Sequence, residues 1–421
     1  MSQGSSVFRS PAYGWVIVVL AALAMVATLP GRTHGLGMIT ERLLNDTSLQ
    51  FDRQTFGYFN FWGTLIGASF CFPAGWMLDR YGIRLTLPLV VGSLGLVVIA
   101  MTRTTSLFQF AILITLTRGL GQSALSVVSI SMIGKWFRSN LPLATGVYSL
   151  LVSVGFASAF FWGRGQSEID WRTQWQQLGV ILLLGLTPIF AIFVRSAPED
   201  EQPESPTDRH SNELDFSLSE AMATPAFWMI GFATSFYALV SSGVSLFNES
   251  LLDERGFEKT ALYDLGMMTT GIGLASNLLT GWLATRVRIT SLAAIAMSLL
   301  AAALLGLPFI STYPGLVTYA VAMGWAGGMV TVLFFTVWAR LFGQAHLGRI
   351  QGMAQMMTVF ASALGPVVLA EVKARTGTYL PAIVLLGCVA TVLAVTMAVV
   401  PLPQRKSELL ANPCLEPNAA T

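Results

Sequence analysis

The chain has 421 residues, of which 54% are apolar and 11% charged, with a net charge of +2 and a mean hydropathy of +0.64. A soluble domain carries about 25% charged residues, so a water-soluble globule is excluded, and so small a net charge gives no footprint for nucleic acid. Three cysteines, Cys71, Cys388 and Cys414, make no disulfide framework.

The apolar residues gather into about a dozen stretches of the roughly 20 residues that a bilayer-crossing helix needs. In lipid every backbone N–H and C=O must be satisfied internally, by helices or closed barrels. Barrel strands alternate with period two, whereas 87–100 and 382–400 are apolar on every face. The chain therefore reads as helical.

In chain order the expected spans are 13–38, 55–78, 85–102, 106–134, 142–163 and 175–195, then 225–249, 260–284, 289–310, 314–341, 347–370 and 379–400. This divides the chain into a first six-helix half (1–195), an acidic linker (196–220), a second half (221–401) and a tail (402–421). The linker carries Glu199, Asp200, Glu201, Glu204, Asp208, Glu213 and Asp215 among three prolines, the composition of a solvated segment.

The first span opens like a signal peptide, with Arg9 ahead of it and Ala22-Leu23-Ala24 resembling a cleavage site. Its counterpart later in the chain argues for a permanent helix. Its outer half, Pro30-Gly31-Arg32-Thr33-His34-Gly35-Leu36-Gly37, combines a helix breaker, glycines, a fixed cation and an imidazole. Unwound backbone is tolerated at membrane depth only where it lines a cavity or is buried in protein. Arg32 is a candidate anchor for a substrate anion, or else an arginine snorkelling to the interface. His34 is a candidate proton-coupling group, or else a hydrogen-bonded histidine without that role.

Between the second and third spans stands Gly75-Trp76-Met77-Leu78-Asp79-Arg80-Tyr81-Gly82-Ile83-Arg84. It resembles the signature loop of the major facilitator superfamily, G-x-x-x-D-R-x-G-x-R, at every specified position. The resemblance implies a twelve-helix transporter in two pseudo-symmetric halves, with this cluster latching the cytoplasmic gate. The residue chemistry points the same way. Gly75 lets two helices approach closely, and Asp79 can face a helix N-terminus or an arginine across the seam between halves. Gly82 permits a tight turn, and Arg80 and Arg84 suit the headgroup level.

In the fourth span, Arg118 sits near the centre, where an arginine costs about 3 kcal/mol on insertion scales. The run 117–122 loosely resembles the family's helix-four motif. The alternatives are a cavity-facing or relay role and a structural pairing with backbone carbonyls.

The second half repeats the first. Gly281-Trp282 follows Gly75-Trp76 by 206 residues, Phe360-Ala361-Ser362-Ala363 follows Phe156-Ala157-Ser158-Ala159 by 204, and Pro225-Ala226 follows Pro11-Ala12 by 214. Two such halves place a solute site at their interface, exposed alternately as one rocks against the other. With both termini on one face, that face holds thirteen Lys and Arg against nine opposite. This favours cytoplasmic termini, and the expected location is a cell inner membrane.

Segments 342–352, 363–366 and 376–379 resemble the helix 10–12 region of the monocarboxylate and oxalate/formate porters, and Arg32 falls where monocarboxylate carriers hold a lysine. The chain departs from both in helix eight, where only Asp264 is acidic, and in helix eleven, whose middle has no lysine. Helix five reads Gly155-Phe156 where drug antiporters have Gly-Pro. The expected function is secondary transport of a small organic anion such as a monocarboxylate, symported with protons, by a monomer that carries no cofactor and catalyses no reaction. The alternatives are a soft metal such as copper, using His34 and Met38 or Met353 and Met357, an aromatic solute resembling riboflavin, or a membrane sensor.

Overall fold

The computed structural model describes residues 11–32, 35–36, 38–39, 42–43, 46, 53–137, 140–165, 169–196, 215–257 and 260–399. All regular structure among these is helical. Among the described residues, eleven helices are long and apolar enough to cross a membrane. They are α1 (Tyr13–Gly31), α2 (Thr55–Tyr81), α3 (Ile83–Met101), α4 (Leu107–Trp136), α5 (Leu141–Gly163), α6 (Trp171–Phe193), α7 (Pro225–Asn248), α9 (Ile289–Phe309), α10 (Tyr313–Phe342), α11 (Leu347–Thr376) and α12 (Leu380–Val399). Between α7 and α9 runs α8, Thr260–Leu283.

Packing repeats between the halves. In the first, α1 lies on α5, α2 on α4 and α3 on α6; in the second, α7 lies on α11, α8 on α10 and α9 on α12. The halves then meet through α2 against α11 and α5 against α8, which the same symmetry relates. Small residues line both seams, as expected where lipid offers no hydrophobic drive and backbones must approach to gain dispersion. A methyl group on Gly75 would lie 2.1 Å from the Gly348 carbonyl oxygen, and one on Gly281 would lie 2.7 Å from that of Pro142. The repeated Gly-Trp pair thus marks each seam. Beside it the exposed tryptophan carries an arginine on its ring, Arg80 over Trp76 at 5.8 Å and Arg286 over Trp282 at 4.6 Å.

Several helices depart from regular geometry. The α-helical part of α1 stops at Val26, short of the expected 38, and a 3₁₀ turn over Leu29–Gly31 carries Pro30. Gly31 is what lets this turn reach α4, because a methyl there would lie 2.5 Å from the Thr117 carbonyl oxygen. Opposite it, α4 is π-helical over Arg118–Leu125, an irregularity often found at functional sites. α7 kinks at Phe247, whose ring stacks on Tyr379 at 5.3 Å. Just beyond, Glu254 accepts hydrogen bonds from Lys373, Thr378 and the Tyr379 amide. Burial alone would push the Glu254 carboxyl up, but these bonds and the Lys373 charge outweigh it and hold the group below its ordinary range.

The end of the bundle where α2 turns into α3 is the motif face. There Tyr13 donates to the Phe193 carbonyl at 2.5 Å and lies 5.9 Å from Trp136, so the start of α1 meets the ends of α4 and α6. Most of the linker falls outside the described residues, but its end is packed. Phe216 sits on Phe342, and Ser217 and Glu220 form a capping box on a short helix, Leu218–Ala223.

Candidate functional site: a clasp, a buried cation pair and a polar cavity

At the motif face Gly82 has φ 74°, a backbone state that favours glycine, and turns the chain from α2 into α3. One turn earlier Asp79 is buried, its side chain 3% exposed. Its carboxylate accepts from the backbone N–H of Gly348 at 3.0 Å and of Arg349 at 2.9 Å. These belong to the first turn of α11, which has no side-chain cap of its own. The first half therefore caps a helix of the second. Lys135, at the end of α4, donates to the same carboxylate at 3.0 Å, and the Arg349 guanidinium stands 3.9 Å from it. Gln344 donates to the carbonyls of Gly134 and Phe137, tying the α10–α11 turn back to α4. Asp215, from the end of the linker, accepts from the amides of Gln344 and Ala345. Arg80 and Arg84 are exposed beside this cluster.

The second centre lies where the α1 turn meets α4. Arg118 is 1% exposed. It donates to the Asn60 side-chain oxygen, to the Gly31 carbonyl at 3.0 Å and to the Gln122 side-chain oxygen at 2.9 Å. Of these acceptors only the Gly31 carbonyl belongs to the backbone. Arg32 is half-buried and donates to Thr28 at 2.7 Å, to the Met25 sulfur at 3.0 Å and to Ser126 at 3.1 Å, with its guanidinium 5.6 Å from the centre of the Phe156 ring. Among the described residues no carboxylate pairs with Arg32. His34 lies outside the described residues.

Because Arg118 holds acceptors from α1, α2 and α4 together, Arg118→Met should lower stability by about 3 kcal/mol or more, through several buried acceptors left unpaired. A melting curve of the ligand-free variant tests this. An unchanged melting temperature with lost transport would point instead to a relay role.

The third centre is a cavity of about 300 Å³ between α5 and the second half. Ser153, Tyr237, Asn248, Asn277, Tyr319 and Thr331 contribute its polar wall, and among the described residues none that is charged lines it. Ser153 stands one turn from Phe156, on which Arg32 rests. Sequence reasoning missed this wall, although the signal was present: 237, 241, 245 and 248 share one face of α7, and 269, 273 and 277 one face of α8. In the sequence Lys135 is one of the thirteen positive charges of its face, and nothing local marks Gln344.

Repeated halves, glycine-packed seams and a polar cavity beside them define a membrane solute carrier. The chain belongs to the Major Facilitator Superfamily, which it matches over residues 15–366. It is a multi-pass membrane transporter. Among solved structures it is similar to the human organic anion transporter MFSD10 (TETRAN), with a TM-score of 0.65 at 15% identity over 92% of this chain and 99% of that one. It is also similar to the proton:xylose symporter XylE bound to 6-bromo-6-deoxy-D-glucose, with a TM-score of 0.67 at 15% identity over 95% and 98%. At that identity the likeness is one of fold. No curated protein sequence matches the chain.

Proposed function

We propose that the protein carries a small organic anion, a carboxylate, by alternating access, with Arg32 meeting the charge. The observation that carries this is the set of partners around Arg32, all neutral among the described residues. A guanidinium at membrane depth without a countercharge is costly, and a transported carboxylate supplies one during the cycle, bound through the planar fork. Cotransport of a proton, with His34 as the candidate group, keeps the cycle near electroneutral. The resemblance of 342–352 and 376–379 to the monocarboxylate and oxalate/formate porters supports the same solute class. We further propose that the motif face is cytoplasmic, on the excess of Lys and Arg there, that Gly75, Asp79, Arg80, Gly82 and Arg84 form its gate, and that the carrier works as a monomer in a cell inner membrane.

The test is uptake into proteoliposomes of labelled lactate, pyruvate, formate, oxalate and gluconate, with and without a pH gradient. Arg32→Gln should abolish uptake or raise KM at least about tenfold, and Arg32→Lys should keep part of it, because lysine keeps the charge and loses the fork. A second reading rests on the cavity wall, uncharged among the described residues, which also suits a neutral polyhydroxylated solute. That reading expects sugar uptake indifferent to Arg32→Gln, and uptake of that kind with no carboxylate moving would end the anion proposal.

A further inference from the structure

The wall of this cavity has a chemistry that narrows the solute further. Three of its hydroxyls spend their donors on their own helices. Ser153 donates to the Ser149 carbonyl at 2.9 Å, Thr269 to that of Leu265 at 2.8 Å and Thr331 to that of Gly327 at 2.8 Å. What each has left for the cavity is acceptor lone pairs. Asn277 is only 6% exposed, lines the same cavity, and no protein group donates to its side-chain oxygen. Gly327 leaves room for the Tyr237 hydroxyl, since a methyl there would lie 2.4 Å from that oxygen.

A polar wall, uncharged among the described residues, discriminates among carboxylates by what it leaves unpaired. A second carboxylate would find no countercharge among those residues. An aliphatic tail would leave the wall's hydroxyls and amides without partners, and sites built for a hydroxyl reject analogues that lack one. A tail bearing several hydroxyls, each both donor and acceptor, pairs with both kinds of group. Phe156, under the Arg32 guanidinium, stands one turn from Ser153 of this wall.

We propose that the wall that includes Ser153, Thr269, Asn277 and Thr331 pairs with hydroxyls of the solute, so that the carried anion is a polyhydroxylated monocarboxylate of the sugar-acid type. This rests on the role of Arg32 proposed above, and the two can fail separately.

The experiment compares initial uptake of labelled gluconate, propionate, oxalate, serine and glucose in proteoliposomes of the full chain. Gluconate should enter at least about tenfold faster than propionate or oxalate. Asn277→Leu, nearly unchanged in volume, should raise the gluconate KM about tenfold and leave any residual propionate uptake within about twofold, one lost buried hydrogen bond being of that size. Arg32→Gln should instead remove all carboxylates together. If propionate enters as fast as gluconate, or Asn277→Leu slows both alike, hydroxyl reading is overturned while the anchor at Arg32 stands. Serine entering in place of gluconate would overturn it in favour of an ammonium against the same acceptors, and glucose entering alone would overturn both proposals. Should Asn277→Leu fail to insert, Asn277→Asp replaces it. That change keeps an acceptor, adds a negative charge beside the bound anion and is expected to abolish gluconate uptake, so retained uptake would count against the assignment.

Discussion

Asp79→Asn should stop transport or slow it at least about a hundredfold while leaving insertion and abundance near normal. The carboxylate takes two N–H donors from α11 and one ammonium from Lys135 at 2.9 to 3.0 Å, with 3% of its side chain exposed. Asparagine keeps one acceptor oxygen but turns an amide N–H₂ toward groups that are themselves donors, and it strands the Lys135 charge. Hydrogen bonds to a charged group contribute about 1.5–3 kcal/mol each, and two of these, the amide bonds from α11, join different halves. Losing both moves a two-state equilibrium by about a hundredfold. That loss falls on the clasped state alone, so the population should leave the state in which the motif face is closed. Uptake into proteoliposomes together with spin-label distances between α2 and α11 would show both effects. Wild-type transport by Asp79→Asn would remove the clasp from the mechanism.

How far this arrangement could be read in the sequence depends on the range of each interaction. The spans and the repeat rest on local apolar runs and short identical words, and they reappear in the packing of α1–α6 and α7–α12. Ends were less legible. α6 begins at Trp171 rather than 175 because the Asp170 carboxylate caps it through the Arg172 amide, and α11 runs on to Thr376 before Gly377 takes a left-handed turn. The break in α1 was visible in Pro30 and Gly31, though its place was not, since it depends on how closely the turn fits the π stretch of α4. For Asp79 the sequence allowed a helix N-terminus or an arginine, and the carboxylate has both near it. No local signal, however, identifies a partner 269 residues away. The cavity wall escaped notice for a different reason. Serine and threonine disturb hydropathy little and use their donors on their own helices, so a stripe of them is almost silent until the helices are assembled.

The other large effect belongs to the glycine on which the clasp depends. Gly75→Ala places a methyl 2.1 Å from the Gly348 carbonyl oxygen and 2.6 Å from its carbon, both backbone atoms that cannot rotate away. Contacts of carbon atoms are most favourable at about 3.5–4.0 Å, so α2 and α11 would have to part by more than an ångström at this level. Asp79 stands one turn along the same face and its bonds to Gly348 and Arg349 would open with the seam. Each half keeps its own packing, so the protein should still insert, but transport should fall at least about tenfold and the motif face should stay open. Gly281→Ala at the symmetry-related seam meets the Pro142 carbonyl at 2.7 Å and should cost less. Gly306→Ala, with nothing within 4 Å of the added methyl, should be silent. The order Gly75, Gly281, Gly306 in proteoliposome uptake is therefore the expected result. Equal uptake by the Gly75 and Gly306 variants would mean that the two halves part without passing through the close packing seen here.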